Sequence, residues 1–459
     1  MDKKNEILEN VLDARENRAS LRSQFVENNL CTLSLSLNIA GYPKSNLLIS
    51  TFFTEILSEL KPFLLANRIA VPNNKEIILT DKAGDFFIVP FSNSSLEIIK
   101  IKELTETFES THPLGRLIDI DIFNEQGLPI SSGKKKPCYF CGKYSAISCM
   151  RNKRHTYDEI REKISSEISN YLNVKNKELT INKLTCYASK AILYEISLSP
   201  KPGLVSFHDS GSHADMNFFT FINSSASLTP FFKEFCLLGY NYSGKYEEAL
   251  AQIRHIGLRA EKVMFEATNN INTHKGIIFL FGVSLFSIAK LVSEKEGYND
   301  TEFRAIIMKV CNNLVANELI NTTNKAITNG EKVYVKYGII GAGVRGEVEK
   351  GFPSVFHKSQ AYFEQYLTSF SYNNQHEIQQ ILQTGLLHIM AVNNDSNILH
   401  RSNLETLTHI QTLAKEAIDN NIAYTQLNEY CLAKNISPGG SADLLSVALL
   451  LHFVKNEKL

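Results

Sequence analysis

At 459 residues the chain is longer than one hydrophobic core usually organises, so two domains are expected. Lysine plus arginine equals aspartate plus glutamate at 48 each, which excludes the electrostatic footprint of a nucleic-acid binder or of a protein drawn to an anionic membrane. The hydrophobic fraction of 44% is that of an ordinary globular protein. The chain starts Met-Asp-Lys-Lys-Asn-Glu with no apolar signal region, and its most apolar run, Gly276 to Ala289, is too short to span a bilayer and reads as a core helix. The eight cysteines form no small-secreted-domain framework, so a reducing, cytoplasmic compartment is expected.

Residues 5–29 read as a helix with an apolar stripe at Leu8, Val11, Leu12, Leu21 and Phe25, and with Arg15, Arg18 and Arg22 at helical spacing. By spacing alone those arginines are a solvated face. Cys31 to Ile39 alternates Leu33, Leu35 and Leu37 with Ser34, Ser36 and Asn38, the pattern of a half-buried strand. It ends in Gly41-Tyr-Pro-Lys44, a turn that presents a lysine. A helix is expected from Leu47 to Asn67. A strand meander then follows over Glu76–Thr80, Asp85–Phe91 and Leu96–Ile101, separated by Asp81, Gly84, Ser92, Asn93 and Ser94.

Leu117 to Phe123 reads as a strand in which Ile118, Ile120 and Ile122 face a core while Asp119 and Asp121 share the other face. Two carboxylates so placed either hold Mg²⁺, leaving room for a nucleotide phosphate, or are two unrelated solvent-facing acids. Gly115-Arg116 puts a turn and a fixed cation beside them. Next come Cys138, Cys141, Cys149 and His155, spaced either as a filled four-ligand structural zinc site or as reduced thiols packed around a turn.

These stretches resemble the apo-citrate lyase phosphoribosyl-dephospho-CoA transferase family. The resemblance rests on Arg15 and Arg18, Gly41-x-Pro-Lys44, the string from His112 to Asp121 (His-Pro-Leu-Gly-Arg-Leu-Ile-Asp-Ile-Asp) and the cysteine–histidine tail, and it covers about residues 8–175. It implies a nucleotidyltransferase-like α/β domain with a mixed sheet. It also implies a reaction in which a serine of the citrate lyase acyl carrier subunit attacks triphosphoribosyl-dephospho-CoA and pyrophosphate leaves. Arg116, Asp119 and Asp121 are then the catalytic group, with Mg²⁺ on the aspartates, and Arg15, Arg18 and Lys44 bind substrate.

Residues 156–190 read as two helical segments around a polar joint at Asn173 to Glu178, which sets the expected domains at 1–175 and 176–459. From Tyr194 to Met216 two prolines and a glycine stop a helix, and Glu195, Lys201, Asp209, His213 and Asp215 fall within one loop-rich stretch. Everything after it reads as helices joined by polar corners, so the second domain is expected to be all-α. Ile253 to Ala267 is amphipathic. It leads to Asn269-Asn-Ile-Asn-Thr-His-Lys-Gly276, a helix start that reads equally as a phosphate site or as a capped turn. Gly338 to Pro353 carries Gly341, Gly343, Arg345, Gly346, Glu347 and Gly351 but no Walker ending. After an expected helix over Ile378 to Val392 come Asn393–Asn397 and Arg401. Ile436 to Leu445 then reads as a loop with an N-cap serine and with Asp443 in the first turn of the last helix. Five such corners are more than turn chemistry needs, so they are expected to converge on one pocket.

The corners resemble the triphosphoribosyl-dephospho-CoA synthase family over residues 184–455. The matching strings run from Tyr194 to Val205, Gly211 to Met216, Asn272 to Gly276, Arg345 to Glu347 with Gly351 to Pro353, Asp395 to Asn397, and Ser437 to Leu445. The resemblance implies that ATP is joined to 3′-dephospho-CoA with loss of adenine, which makes the donor that the first domain uses. The implied phosphate binders are Lys201, Lys275 and Arg345. Asp215, Asp395 and Asp443 are bases or Mg²⁺ ligands, and His213 or His274 assists adenine departure. Glu347, Asn397, Arg401, Gly439, Gly440 and Ser441 complete the substrate-binding set. Ser206 stands where an aspartate is expected, and Asn269-Asn270 and Ser402-Asn403 replace glycine pairs. The competing reading is a non-enzymatic regulator that binds CoA-like nucleotides with degenerate sites.

Overall fold

A computed structural model describes residues 3–28, 30–91, 97–131, 133, 137–295, 297–320, 328–368 and 374–457. The chain divides into two compact units, Met1–Asn176 and Lys177–Leu459.

In the first unit, helix α1 (Lys3–Val26) precedes strand β1 (Cys31–Leu37), whose alternating leucines form the centre of a five-stranded sheet. Helix α2 (Leu47–Ala66) follows, then β2 (Ile77–Asp81) and β3 (Gly84–Phe91) as a hairpin, helix α3 (Ile98–Thr111), β4 (Ile118–Phe123) and the short β5 (Pro129–Ile130). The strand order is β2-β3-β1-β4-β5, and every pairing among the described strands is antiparallel, so the expected mixed sheet is not found. Leu33 and Leu35 lie beside Ile118, Ile120 and Ile122, all essentially inaccessible, in a core closed by Phe52, Ile56 and Leu60 of α2 and by Ile101 and Phe108 of α3. The third strand expected at Leu96–Ile101 is instead the start of α3. Its β-branched residues misled by composition, whereas its buried positions Ile101, Lys102, Thr105, Phe108 and Glu109 recur every three to four residues. The expected turn residues Ser92, Asn93 and Ser94, and Leu96, lie outside the described residues.

A short helix α4 (Ala146–Arg151) leads to α5 (Tyr157–Ser197). The polar joint expected at 173–178 is helical and lies inside α5, because Lys175, Lys177 and Glu178 are good helix formers and no glycine or proline interrupts the run.

The described regular elements of the second unit are all helical. They are α6 (Phe218–Asn241), α7 (Tyr246–Ala267), α8 (Lys275–Glu294), α9 (Asp300–Val310), α10 (Asn329–Tyr337), α11 (Gly343–Glu349), α12 (Gln360–Tyr366), α13 (Gln375–Met390), α14 (Ser396–Arg401), α15 (Leu404–Ala417), α16 (Asn421–Ala433) and α17 (Gly439–Asn456). Two of them organise the core. α8 buries Phe281, Leu285, Phe286 and Ile288, and α17 buries Leu444 through Val454 without interruption. At 20 residues α8 is longer than the run seen in the sequence and is apolar enough to cross a membrane by length and composition, yet it packs inside the helical unit against α6, α7, α9 and α17. The N-cap of α17 is Pro438 rather than a serine, and Asp443 lies one position beyond the first turn.

Candidate active sites

Each of the five polar corners of the second unit ends a helix or begins one, and all five open on one cavity of about 580 Å³. Its wall includes Lys201, His213 and Asp215 from the first corner, His274, Lys275 and Gly276 from the second, Arg345 from the third, Asn397 and Arg401 from the fourth, and Gly439, Gly440 and Asp443 from the fifth. Three expected residues are not in that wall. Glu347 faces a smaller cavity of about 210 Å³, where it accepts hydrogen bonds from Ser354 Oγ (2.6 Å) and Ser354 N (3.1 Å) and so fixes the Gly351-Phe352 turn. Asp395 lies behind the wall, fully buried. It accepts from Asn397 N (2.9 Å) at Oδ1, and from Ser441 N (2.8 Å) and Ser441 Oγ (3.0 Å) at Oδ2. One carboxylate thus caps α14 and α17 together, and Ser441 is its partner rather than a wall residue.

The buried charges form a tight group. Lys201 Nζ donates to Glu195 Oε1 (2.7 Å) and to the Glu195 carbonyl (3.0 Å), leaving one of its three N–H bonds. The carboxyl group of Asp443 presses on the start of α8: a Cβ added at Gly276 would stand 1.9 Å from Asp443 Oδ2, so any side chain there would displace that carboxyl group. Burial, with Glu195 and Asp395 adding to it, raises Asp443 well above the usual carboxylate range. Burial also drives His274 down to about 3, with the charge of Lys201 helping. His274 Nδ1 meets Ser224 Oγ at 2.7 Å, while its Nε2 is buried with no hydrogen-bond partner. His213 Nε2 meets Ser437 Oγ at 2.9 Å, and burial, then Arg401, lowers its pKa. Arg401 donates to the Ser212 and Asn435 carbonyls, each at 3.2 Å, tying the first corner to the last. Lys275 pairs with Glu261 at 2.9 Å.

In the first unit, residues opposite one another across β1, β3 and β4 share a face. Asp119 therefore stands in a row with Ser36 and Phe86, and Asp121 in a row with Ser34 and Ile88. Helix α1 covers this face, with the Arg18 guanidinium 4.5 Å from the Phe86 ring centroid and that of Arg22 3.5 Å from Phe123. Asp121 lies close enough to Arg22 to favour its charge. Arg18 is neither on a solvated face nor open to a ligand. It is buried, bidentate on Asp81 (2.9 and 2.7 Å), and donates to the Gly84 carbonyl (2.7 Å). Lys44, at the end of the Gly41–Lys44 turn, donates to the Ile39 carbonyl (2.6 Å). Burial, and then Arg15 and Arg161, lower its pKa, so three cations gather at this turn. Gly115 is required by contact: a Cβ there would lie 1.5 Å from the Glu109 carbonyl oxygen. Arg116 donates twice to the Pro137 carbonyl, at 2.7 and 3.2 Å. Cys138, Cys141, Cys149 and His155 cluster, their ligand atoms within 4.8 Å of one another.

The C-terminal unit matches the family model for ATP:dephospho-CoA triphosphoribosyl transferase over residues 181–459, and the N-terminal unit that for apo-citrate lyase phosphoribosyl-dephospho-CoA transferase over residues 6–171. Protein CitXG of Haemophilus influenzae is 34% identical to the chain across 96% of the chain and 95% of its own length. The chain belongs to the CitXG family. Protein CitXG of Leuconostoc mesenteroides subsp. cremoris is 30% identical with 96% of each chain covered, and the 2-(5''-triphosphoribosyl)-3'-dephosphocoenzyme-A synthase of Haemophilus ducreyi is 34% identical over 66% of the chain and 96% of its own length. The family's two parts are transferases, so the regulator reading has nothing to rest on.

Family resemblance alone passed over several residues of these sites. Arg254, Gly257, Leu258 and Glu261 line the large cavity as one stripe of α7, a helical spacing legible in the sequence beside the apolar stripe. Glu318 bridges Arg254 and Arg345 (2.8 Å to Arg345 Nε), and nothing local in the sequence marks it. Arg161 donates to the carbonyls of Ala40 (3.0 Å) and Pro43 (2.8 Å) from a helix distant in sequence. Two departures from the family pattern are accounted for. Asn269 and Asn270 adopt φ of 52° and 63°, a region asparagine tolerates better than other non-glycine residues, and Asn403 caps α15 with extended backbone that needs no glycine. Ser206 is buried in a turn, where its Oγ accepts from Asp209 N at 3.2 Å.

Proposed function

We propose that the chain builds the citrate lyase prosthetic group in two steps, one in each unit, in the cytoplasm. The second unit condenses ATP with 3′-dephospho-CoA to 2′-(5″-triphosphoribosyl)-3′-dephospho-CoA and adenine. The first unit transfers the phosphoribosyl-dephospho-CoA moiety to a serine of the citrate lyase acyl carrier subunit and releases pyrophosphate. The observation that carries the reading is the pairing of the two family matches, in this order, with a charged cavity in the C-terminal unit and an acidic pair on one face of a strand in the N-terminal one.

In the first step a ribose hydroxyl of dephospho-CoA attacks C1″ of the ATP ribose. The glycosidic bond to adenine breaks, and the hydroxyl proton is balanced by one delivered to adenine. Lys201, Lys275 and Arg345, joined by Arg254, hold the triphosphate. His274, neutral through burial, is poorly suited to deliver a proton, and its unpartnered Nε2 instead accepts or orients a polar hydrogen of the substrate. Asp443, whose carboxyl burial pushes well above the usual carboxylate range, is the group that carries a proton to adenine. Asp395 and Ser441 hold the helix starts that shape the cavity.

In the second step the use of the acidic pair is nucleotidyltransferase-like. Asp119 and Asp121, two oxygen donors on one face, suit Mg²⁺, which keeps waters and takes substrate phosphates alongside one or two carboxylates; bound there it would neutralise charge on the departing pyrophosphate. Arg15, Lys44 and Arg161 receive the donor's remaining phosphates.

The test assigns the chemistry to the units. Asp119→Asn or Asp121→Asn is expected to lower serine modification about a hundredfold or more while adenine release continues. Asp443→Asn is expected to cut adenine release by about a hundredfold or more while transfer from ready-made donor is kept. Adenine is followed by chromatography and the carrier subunit by intact mass. Equal loss of both signals in either first-unit variant, with the fold preserved, sinks the two-site assignment.

A further inference from the structure

The stretch from Pro137 to Thr156 lacks a core of its own. Its only buried residues are Cys138 and Cys149, while Tyr144, Ile147 and Met150 are among the large side chains left exposed. Even so it is sharply folded. Cys138 N donates to the Tyr144 carbonyl (2.7 Å) and Gly142 N to the Cys138 carbonyl (2.9 Å), Pro137 bridges Ser145, α4 carries Cys149, and Arg154 N returns to the Cys149 carbonyl (3.1 Å). A segment this short with so little apolar burial needs another source of folding free energy. The four side chains that converge inside it are three thiols and one imidazole. Cys141 Sγ and Cys149 Sγ stand 3.7 Å apart. A tetrahedron with zinc–sulfur bonds of about 2.3 Å places its sulfurs about 3.8 Å apart, whereas a disulfide brings them to about 2 Å. His155 Nε2 is buried with no hydrogen-bond partner, and its ring is fixed against Phe140 with centroids 4.6 Å apart. An imidazole placed beside three thiols supplies the fourth donor that a tetrahedral zinc site takes.

We propose that Cys138, Cys141, Cys149 and His155 bind one structural Zn²⁺ and that this zinc knuckle steadies the transferase site. The second half follows from Arg116. Its guanidinium is held by the Pro137 carbonyl, one residue before the first ligand, and Arg116 lies three residues before Asp119. The four side chains fill every position of a tetrahedral ion, so it takes no substrate. Zinc binding stands apart from the two-step reading, whereas the link to the transferase site rests on it.

The test uses the full chain purified without chelator. About one zinc per chain is expected by elemental analysis. Cobalt exchanged into the site should give the intense visible bands of tetrahedral coordination together with thiolate-to-metal charge transfer. Cys149→Ser should lose the metal, and Cys186→Ser, an exposed cysteine outside the cluster, should keep it. Removing zinc with a strong chelator should lower serine modification and the thermal midpoint of the first unit, while adenine release stays unchanged. If Cys149→Ser proves insoluble, the metal content and cobalt spectrum of the unaltered chain decide. Protein with less than about a tenth of a zinc per chain, an octahedral cobalt spectrum, or a Cys141–Cys149 disulfide in the freshly purified chain overturns the proposal.

Discussion

His274 shows how one buried group writes itself into stability. An unfolded histidine takes up its proton near 6.5, whereas folded His274 is held down to about 3 by burial and then by Lys201. Between those values the unfolded chain binds the extra proton, so His274 favours the fold above about 6.5 and that support drains away as the pH falls toward 3. Asp443 and Asp395 pull the other way. Burial raises both, the folded chain keeps protons that unfolded carboxylates have lost, and acidification toward 3.8 favours folding through them. The whole-chain slope is the sum of these terms, so only a difference isolates one residue. His274→Gln keeps a polar group toward Ser224 but does not titrate. We expect the stability gap between wild type and this variant, read from urea midpoints of the second unit, to shift in the variant's favour as the pH drops from 6 to 5. The limit is about 1.4 kcal/mol per pH unit. A gap independent of pH would mean that His274 is protonated in the fold.

At the scale of elements, the cavity is made by helix starts, and those starts depend on side chains from elsewhere. Asp395 caps α14 through Asn397 N and α17 through Ser441, whose Oγ also accepts from Asn393 Nδ2 at 3.0 Å. Asp395→Ala removes both caps and leaves the Ser441 hydroxyl hydrogen unpaired, a loss of about 2–4 kcal/mol. Asp395→Asn keeps an acceptor oxygen and is expected to cost about half as much, with adenine release within several-fold of wild type. Denaturation midpoints and the adenine assay check both, and a collapse of activity in a stable Asp395→Asn protein would return Asp395 to the chemistry. This element also shows where sequence reading ran out. The string from Ser437 to Leu445 marks a helix start, but its cap is Asp395, more than forty positions upstream, and neither the local serine nor Asp443 in the sequence points to it. Strand β4 was legible because its three isoleucines and two aspartates alternate with the pleat. Helix α3 was not, because three isoleucines near its start suggest a strand until the periodicity is followed to Phe108. Arg18 and Arg161 illustrate the same limit for a site: spacing places an arginine on a helix face, and only the fold says whether Asp81 or a pair of carbonyls occupies its donors.

For the whole molecule, the division into units can be tested against the helix that runs through it. The buried cluster of the first unit ends with Ile164, Ile168 and Leu172, and that of the second begins with Ile181, Leu184 and Tyr187, all of them on α5. The two clusters share no residue, so each unit buries its own apolar surface, and the stretch of α5 between Leu172 and Ile181 contributes to neither cluster. Cutting there severs helix hydrogen bonds but divides neither buried cluster. The residues that line the synthase cavity all lie beyond the cut, from Glu195 to Asp443. A fragment comprising residues 177–459 is therefore expected to express in soluble form, to give a strongly helical circular dichroism spectrum, and to release adenine from ATP and dephospho-CoA at a rate within several-fold of the full chain. It should leave the carrier subunit unmodified, since Asp119 and Asp121 are absent. An insoluble fragment, or a folded one that releases no adenine while the full chain does, would show that the second unit borrows something essential from the first.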